Sequence, residues 1–295
     1  MIVITGATGQ LGRAVVQNLV QLMPASQIAI SVRDPAKADD LAALGVEVRE
    51  GDFARPETLE AAFAGANILF LVSSNAAAYG GDTLGQHRAA IDAAKAVGVS
   101  HIVYTSQISA SPTSAFPPGV LHAATEAMLA ESGLAWTALR HGFYAVSALM
   151  LLGDAATTGI VKAPADGKVA WTTQADLAAA DAAILADIHA GNGRRYQGPT
   201  PPLTGSQTWD LSELAAIAAE LTGRPITRTI MSDDDMETRL AARGVPAGGV
   251  RMVMGIYRAS RAGEFGSTDP LLERLIGRPA IPVRDVIVAA MAKTA

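Results

Sequence analysis

Cysteine is absent from this chain of 295 residues. Without it there can be no disulfide, no thiolate metal ligand, no iron–sulfur cluster and no catalytic thiol. Charged residues are also scarce, at 17% against 49% hydrophobic residues, a composition that excludes intrinsic disorder. The net charge of −5 offers no basic surface to a nucleic acid or an anionic membrane, so neither is expected as a partner.

Long apolar runs are missing as well. The longest, residues 143–152, has only about half of the ~20 residues that a membrane-spanning helix needs. The amino-terminal segment has no basic region and reaches Gly6 too early for a secretory signal peptide. No group of histidine and acidic residues has the spacing of metal ligands, so no metal is expected. We expect a cytoplasmic protein without a membrane partner.

What the first half of the chain does have is an alternation of strand and helix patterns. Residues 1–5 are an apolar run rich in β-branched residues, typical of a strand buried on both faces, and residues 10–23 follow with helical spacing. Five such steps predict an α/β fold with a Rossmann-type doubly wound parallel sheet. Beyond about residue 150 the alternation loosens. We predict a Rossmann domain over residues 1–150 and a smaller C-terminal α/β substrate lobe over 151–295, interleaved with the last strands of the sheet.

A glycine-rich loop, Gly6-Ala7-Thr8-Gly9-Gln10-Leu11-Gly12, follows the first predicted strand and opens the first predicted helix. In this context a glycine turn that binds nothing is the weaker alternative to a dinucleotide site. The first glycine permits a tight turn, the second lets the backbone approach a pyrophosphate, and the third lets the helix pack close to the strand. Free N–H groups at the helix start favour the anion. The residues that we expect to bind the cofactor here are Gly6, Thr8, Gly9, Gln10, Leu11 and Gly12.

The end of the second predicted strand indicates which dinucleotide is bound. NAD sites usually have an acidic residue here, which binds the ribose 2′-hydroxyl. In this chain Arg33 offers a guanidinium suited to a 2′-phosphate, with Ser31 and Lys37 as further donors. Asp34 is the competing candidate, but its place before Pro35 is typical of a helix cap. The sequence therefore favours NADP(H) over NAD(H).

Polar residues follow three further predicted strands. Because parallel strands end at one edge of a sheet, these residues are expected to form one groove for the cofactor. Each is a weak signal alone, since such residues are common in loops, and Asp52 has a turn-capping alternative. The groove residues that we assign to the cofactor are Asp52 and Phe53 after the third strand, Ser73, Ser74 and Asn75 after the fourth, and Thr105 after the fifth.

Nine segments resemble a known family: residues 6–12, 33–38, 86–88, 93–99, 104–106, 122–126, 139–144, 208–211 and 275–277. Together they resemble the NmrA-like atypical short-chain dehydrogenases/reductases, and most closely the branch of the type 2 NAD(P)H:quinone oxidoreductases and triphenylmethane reductases. The resemblance covers nearly the whole chain. It implies a Rossmann fold, bound NADP(H), and cofactor or substrate contacts from the glycine loop, Arg33, the segment near Ser73 and residues 141–144.

Two residues depart from that family pattern. Members usually have asparagine where this chain has His141, and a tryptophan is expected where it has Phe143. The hydrogen bonds around the nicotinamide and the shape of the acceptor pocket are therefore expected to differ. We assign His141 to the cofactor and expect Phe143 and Tyr144 to line the pocket, although aromatic residues more often join a core.

A catalytic pair is missing. Extended short-chain dehydrogenases and epimerases use Tyr-x-x-x-Lys on the fifth helix, and the resemblance places Pro118 and His122 at those positions. An epimerase is therefore not expected. A quinone can still accept a hydride, because the phenolate-like anion that forms belongs to an acid of pKa only ~10 and can take its proton from water. We assign His122 and Tyr144 as catalytic, with His122 supplying a hydrogen bond or a proton.

These observations predict an NADPH-dependent reductase that transfers a hydride directly, without flavin, to a quinone or a similar flat conjugated acceptor. The alternative is a non-catalytic NADP(H)-sensing regulator that binds a protein partner, since the cofactor loop serves both functions. His122 also has a structural alternative, as a helix residue whose ring is satisfied by a backbone carbonyl. Helix faces rich in alanine can pack within one chain or between two chains, so the sequence leaves open whether the protein forms a homodimer.

Overall fold

The computed structural model of the protein describes residues 1–292. Its strands are β1 (Ile2–Thr5), β2 (Ile28–Val32), β3 (Glu47–Glu50), β4 (Ile68–Leu71), β5 (His101–Gln107), β6 (Ala135–His141), β7 (Phe143–Tyr144), β8 (Ile160–Ala163), β9 (Trp171–Thr172), β10 (Gly198–Pro199) and β11 (Thr227–Ile230). Its α-helices are α1 (Gln10–Leu19), α2 (Asp39–Ala42), α3 (Leu59–Phe63), α4 (Thr83–Ala96), α5 (Pro117–Glu131), α6 (Val146–Leu152), α7 (Ala155–Thr158), α8 (Gln174–Asp187), α9 (Leu211–Thr222), α10 (Asp233–Ala242), α11 (Ala247–Arg261), α12 (Leu271–Ile276) and α13 (Val283–Met291). Within these described residues, no helix has both the length and the apolar character needed to cross a membrane.

Seven strands form one sheet in the order β10-β6-β5-β4-β1-β2-β3, and every neighbouring pair is parallel. Strands β1, β2, β4 and β5 are buried along their whole length because helices cover both faces of the sheet. The predicted Rossmann-type doubly wound sheet is therefore confirmed. The strand order reverses between β1 and β4, and sheets of this kind bind ligands outside the carboxyl ends of the strands at such a point.

Helix α1 is shorter than the sequence pattern predicts. We expected residues 10–23 to be helical, but α1 ends at Leu19. The N–H groups of Gln21 and Leu22 bond only three residues back, to the carbonyl oxygens of Asn18 and Leu19, and this tighter turn ends the α-helix. The spacing of Leu22 fits the buried face, yet its side chain is 54% exposed. The buried apolar side chains of α1 are Leu11, Val15, Val16 and Leu19.

Helix α8 brings the second half of the chain back to the sheet. It packs along α1, and its residues Leu177 and Ile184 lie in the same apolar core as Val15 and Leu19. Strand β10 then extends the sheet beyond β6. The elements α8 and β10 thus belong physically to the sheet and its core, while the division of the chain at residue 150 stays a prediction.

A second apolar core lies in the carboxyl-terminal part of the chain. Helices α6, α9 and α11 build it together with the short parallel pairs β8–β11 and β7–β9. At its centre the rings of Phe143 and Phe265 have centroids 4.6 Å apart, and Phe116 and Trp171 contact Phe143 edge to face. Phe143 is 8% exposed, so it belongs to this core, which is the commoner place of an aromatic ring.

Candidate active site

The loop between β1 and α1 forms the cradle that the glycines predict. Gly6 has a φ of +62°, a left-handed conformation that glycine adopts without strain. A Cβ on Gly12 would lie 2.4 Å from the carbonyl oxygen of Gly6, so only glycine lets α1 approach β1 this closely. Gly9 is the N-cap residue and α1 has no side-chain cap among the described residues, which leaves N–H groups of the first turn facing the loop. The backbone therefore fits a pyrophosphate.

The other predicted residues of this loop differ in exposure. Thr8 and Gln10 are exposed beside Gly9, where their polar groups can meet a ligand. Leu11 is 6% exposed and turns its side chain into the core, so its N–H is the group available to an anion. The assignment of these residues to a cofactor stays a prediction, which the shape of the loop supports.

Arg33 is exposed immediately after β2, at the same edge of the sheet. Its guanidinium forms no hydrogen bond or ion pair with any of residues 1–292 and is free for a ligand. Asp34 accepts a hydrogen bond from the N–H of Ala36, so its predicted capping role is confirmed. Lys37 lies 3.3 Å from the Asp34 carboxylate, whereas Ser31 is 3% exposed and packs against the backbone of Gly51.

Asp52 and Phe53 follow β3 and serve the local structure. An oxygen of Asp52 accepts from the N–H of Ala54 at 2.9 Å, and the N–H of Asp52 donates to Oγ1 of Thr58 at 3.0 Å. Asp52 thus has the turn role that was named as its alternative. Phe53 is half-buried and packs against the core on the α3 and α4 side of the sheet. Their contact with a cofactor stays a prediction.

Ser73 and Thr105 meet where β4 and β5 end. The N–H of Ser73 donates to Oγ1 of Thr105 at 2.8 Å. Val72 packs against the glycine loop, since a Cβ on Gly6 would lie 3.0 Å from that of Val72. Asn75, two residues beyond Ser73, is exposed. The ends of β1, β4 and β5 therefore line one groove, as their parallel arrangement requires.

His87 on α4 holds the loop that follows β4 and borders this groove. The sequence does not reveal this role. The ring is 0% exposed, and its Nε2 accepts a hydrogen bond from the N–H of Ser74 at 2.8 Å. Its Nδ1 then carries the proton and faces Oγ1 of Thr125 at 2.8 Å. Burial lowers the pKa of His87 to about 4. A neutral histidine thus ties the loop after β4 to helices α4 and α5.

Tyr104 connects β5 to His122 on α5. Its hydroxyl lies 2.7 Å from Nδ1 of His122 and 3.2 Å from Oγ of Ser73. Burial raises the pKa of Tyr104 to about 12, so the hydroxyl keeps its proton. Burial lowers the pKa of His122 to about 3, and repulsion from His87 and His141 acts in the same direction. The groove therefore presents a neutral, half-buried imidazole whose Nδ1 is held by a tyrosine and not by a backbone carbonyl.

His141, the last residue of β6, pairs with an aspartate that the sequence analysis did not single out. Its Nε2 lies 2.8 Å from Oδ1 of Asp181 on α8, and the two side chains are 2% and 0% exposed. Burial raises the pKa of Asp181, and the contact with His141 opposes that shift. The available signal was an acidic residue in the apolar, alanine-rich sequence of α8.

Tyr144, the second predicted catalytic residue, lies close enough to this pair for the charge of Asp181 to act on its hydroxyl. It is half-buried, and burial raises its pKa to about 12, with the charge of Asp181 adding to the shift. Its hydroxyl also interacts with the side chain of Gln174. The structure thus provides two polar clusters at the carboxyl edge of the sheet, one around His122 and one around His141.

Backbone N–H groups that face outward where the strand order of a parallel sheet reverses are characteristic of dinucleotide-binding proteins. The family model described as NAD(P)H-binding matches residues 6–188 of the chain. The chain belongs to this NAD(P)H-binding family. Among residues 1–292, no three histidine or acidic side chains are grouped so that they could hold a metal ion.

The chain is similar along its whole length to oxidoreductases. It is 38% identical to quinone oxidoreductase 2 of Escherichia coli (strain K12) over 290 residues, which are 97% of each protein. The crystal structure of NADPH-dependent quinone oxidoreductase from Escherichia coli complexed with NADPH matches with a TM-score of 0.90 and 37% identity, covering 99% of this chain and 100% of that one. The structure of Citrobacter sp. triphenylmethane reductase complexed with NADP(H) matches with a TM-score of 0.85 and 33% identity, covering 98% and 100%.

The regulator NmrA is a more distant neighbour. Its structure in complex with NAD matches with a TM-score of 0.74 but only 16% identity, over 100% of this chain and 98% of that one. At this identity the likeness concerns the fold alone. The resemblance to NmrA-like dehydrogenases is confirmed by the match to the NAD(P)H-binding family model and by the 38% identity to quinone oxidoreductase 2. The oxidoreductases are more similar to this chain in sequence than NmrA is.

Proposed function

We propose that this protein is an NADPH-dependent reductase that transfers a hydride directly, without flavin, to a quinone or a similar flat conjugated acceptor. The observation that carries the proposal is its similarity over almost the full length to quinone oxidoreductase 2 of Escherichia coli. The shape of the glycine loop supports the same conclusion, because a side chain on Gly12 would collide with the backbone of Gly6.

In this proposal the residues of the groove bind the pyrophosphate, the 2′-phosphate and the nicotinamide ribose of the cofactor. The first-turn N–H groups of α1 bind the pyrophosphate, and Arg33, which has no other partner among residues 1–292, binds the 2′-phosphate. Ser73 and Thr105 fix the wall beside the nicotinamide ribose through their mutual hydrogen bond. When bound, the nicotinamide supplies the hydride.

His122 stabilises the negative charge that develops on the acceptor oxygen. We place the single hydroxyl proton of Tyr104 on its shorter contact, Nδ1 of His122 at 2.7 Å, and not on Oγ of Ser73 at 3.2 Å. In this assignment the proton of the neutral imidazole is on Nε2. This N–H is a hydrogen-bond donor but a very weak acid, so the reduced acceptor takes its proton from water. A quinone tolerates this because its anion is only weakly basic, whereas the alkoxide from a simple ketone needs an acid in place.

The carboxyl-terminal lobe, residues 151–295, provides the acceptor side of the site in this proposal. Tyr144 lies where β7 enters the second apolar core, so it joins the lobe to the groove. We propose that it forms a wall of the acceptor pocket. Its pKa, raised to about 12, keeps its hydroxyl protonated for a hydrogen bond to the acceptor.

The test is steady-state NADPH consumption by the purified protein with a panel of quinones, triphenylmethane dyes, enones and simple ketones. We expect turnover of the flat conjugated compounds and none of the simple ketones. Turnover of ketones alone would refute the proposed chemistry. Tight binding of NADP(H) without turnover of any acceptor would instead favour the sensing regulator. The variant His122→Leu should bind NADPH as the parent does and reduce quinones far more slowly.

A further inference from the structure

A cavity of about 430 Å³ opens at the amino ends of β4, β5 and β6. The seven residues of β5 run from His101 at this cavity to Gln107 at the edge that bears the cofactor groove, a distance of about 20 Å. The opposite wall comes from residues 188–197, which connect α8 to β10. The cavity is therefore separate from the groove, and the proposed reaction does not use it.

Three exposed side chains at the rim of the cavity offer hydrogen-bond donors. The guanidinium of Arg194 forms no hydrogen bond or ion pair within the described part of the chain. The oxygen of the Asn67 amide accepts from the amino nitrogen of Met1 at 2.8 Å, which leaves its N–H₂ group for a ligand. The oxygen of the Gln197 amide likewise accepts from the N–H of Trp136 at 3.3 Å. Both amides thus present donors near the positive charge of Arg194.

His101 lines the cavity from the sheet side and is only 6% exposed. Its Nε2 lies 2.8 Å from Oγ1 of Thr137, which has no other side-chain partner among residues 1–292. We place the hydroxyl proton of Thr137 on this contact, so the proton of the neutral imidazole is on Nδ1. That N–H has no partner among the described residues and lies close to Gly193, where a Cβ would be 3.2 Å away. Because buried donors are nearly always paired, it is suited to an acceptor atom of a ligand.

The charge and polarity of the lining indicate the class of ligand. None of the described residues that line the cavity is acidic. Asp187, in the adjoining helix, has its carboxylate bonded to Arg195 and Tyr196. Ile68 and Ile188, which are 3% and 7% exposed, add an apolar surface beside the donors. Donors, one positive charge and an apolar wall together suit an organic anion better than a bare inorganic ion.

We propose that this cavity is a second ligand site, which binds a small organic carboxylate. Arg194 pairs with the carboxylate, and the amides of Asn67 and Gln197 donate to its oxygens. The apolar body of the ligand lies against the two isoleucines. A planar guanidinium can bond both oxygens of a carboxylate, and charge-assisted bonds of this kind are the strong ones. The inference does not depend on the proposed reductase function, because the two sites lie at opposite ends of the sheet.

The test uses benzoate as the probe and benzamide as its uncharged counterpart. Saturation-transfer NMR titrations of the protein measure the dissociation constants. We expect about 1 mM for benzoate, a value in the range for a ligand of so few atoms, and about tenfold weaker binding of benzamide. Equal affinities for these two probes would overturn the proposal. Inorganic phosphate is the third probe, and tighter binding of phosphate than of benzoate would also overturn it, since phosphate has no apolar body.

Variants locate the probe in the cavity. Arg194→Gln should weaken benzoate binding by about tenfold. The matched control is Arg195→Gln, which removes the neighbouring charge that is paired with Asp187 and should bind benzoate as the parent does. Benzoate affinity that is the same in Arg194→Gln as in the parent would refute the assignment.

Gly193→Ala tests the same site without changing a charge. Gly193 has a φ of −58°, which alanine also adopts, so the backbone can keep its course. The methyl group would lie 3.2 Å from Nδ1 of His101 and 3.3 Å from Cγ2 of Ile188, between two side chains that line the cavity. We expect weaker benzoate binding, and unchanged affinity would count against the site.

Benzoate binding in the presence of saturating NADP⁺ separates this site from the groove. The dissociation constant of benzoate should not change, because the cofactor loop and the cavity are at opposite ends of the sheet. Displacement of benzoate by NADP⁺ would assign the probe to the groove and overturn the inference. A protein that bound benzoate as expected but no NADP⁺ would contradict the proposed function alone.

Discussion

The hydroxyl of Tyr104 lies 2.7 Å from Nδ1 of His122, joining the middle of β5 to the second turn of α5. The two residues are 18 positions apart in the chain. The contact orients the imidazole at the groove and leaves its other nitrogen for a ligand. Because burial lowers the pKa of His122 to about 3, the ring is neutral throughout the physiological pH range.

Tyr104→Phe is expected to lower kcat for quinones by about tenfold while leaving the NADPH dissociation constant nearly unchanged. The ring still fills its buried site, but Nδ1 of His122 loses its donor and the imidazole is no longer held. Removing a group that stabilises a developing oxyanion directly costs about 10²–10³ in kcat, and an indirect contact costs less. The measurement is kcat and KM with one quinone. Tyr196→Phe, which removes a hydroxyl bonded to Asp187, is the matched control and should be active.

Arg33→Ala should weaken NADPH binding by about ten- to a hundredfold, since charge-assisted bonds to the 2′-phosphate are lost. Binding of NADH, which has no such phosphate, should change little. Fluorescence titration with both cofactors measures the two affinities. Arg55→Ala, at an exposed arginine paired with Glu50, is the control for loss of a surface charge. An equal loss for both cofactors would contradict the assignment of Arg33.

Gly9→Ala and Gly12→Ala should separate binding from folding. At Gly9 a Cβ would lie 3.3 Å from the carbonyl oxygen of Gly6, a contact that a small shift relieves, but it would crowd a pyrophosphate. At Gly12 the Cβ would lie 2.4 Å from that oxygen, so α1 must move. We expect Gly9→Ala to lose NADPH affinity with little change in Tm, and Gly12→Ala to lose both. A Gly12→Ala protein with unchanged Tm would contradict the close packing.

Acid should destabilise the protein well before its carboxylates titrate. His87 and His101 have pKa values lowered to about 4, and His122 to about 3, all below the ordinary 6.5. Below pH 6.5 these three histidines bind protons in the unfolded chain but stay neutral in the folded chain. The free energy of unfolding is therefore highest above pH 6.5 and decreases as the pH falls towards 4. Unfolding takes up at most about three protons in this range, which corresponds to a slope of roughly 4 kcal/mol per pH unit.

Urea unfolding between pH 4.5 and 7.5 measures that slope. His101→Gln should reduce it by about one proton and leave quinone reduction unchanged, because His101 bonds to Thr137 at the opposite end of β5 from the groove. A free energy of unfolding that did not vary over this interval would show that the buried histidines are charged in the folded protein.

Local patterns explain which parts of the fold could be predicted from the sequence. The glycine loop and the cap at Asp34 depend on neighbouring residues, and both have the expected geometry. Helix α8 could not be recognised in the same way, because it is buried on most sides and its alanine-rich sequence lacks an amphipathic period. The end of α1 was misjudged because periodicity continues to Leu22, while the backbone bonds close the helix earlier.

Site residues that depend on one segment of the chain could be predicted from the sequence. Contacts between residues of distant segments could not. Arg33 is recognisable from its place after a strand. His122 could be named as a candidate, but its partner Tyr104 comes from another element, and only the packing of α5 on β5 brings them together. Asp181 is further still, 40 residues from His141, and its place in the alanine-rich α8 marks it as unusual without indicating which residue it contacts.

The packing of α8 on α1 and the pairing of β10 with β6 also constrain synthesis of the protein. A nascent chain that has reached only residue 150 would leave Val15 and Leu19 of α1 uncovered and the outer edge of β6 unpaired. Such a fragment cannot complete its core, since domains fold as units once their parts are present. The cofactor loop is among the first segments to leave the ribosome, yet the core behind it is complete only once α12, which contributes Leu272, has also emerged.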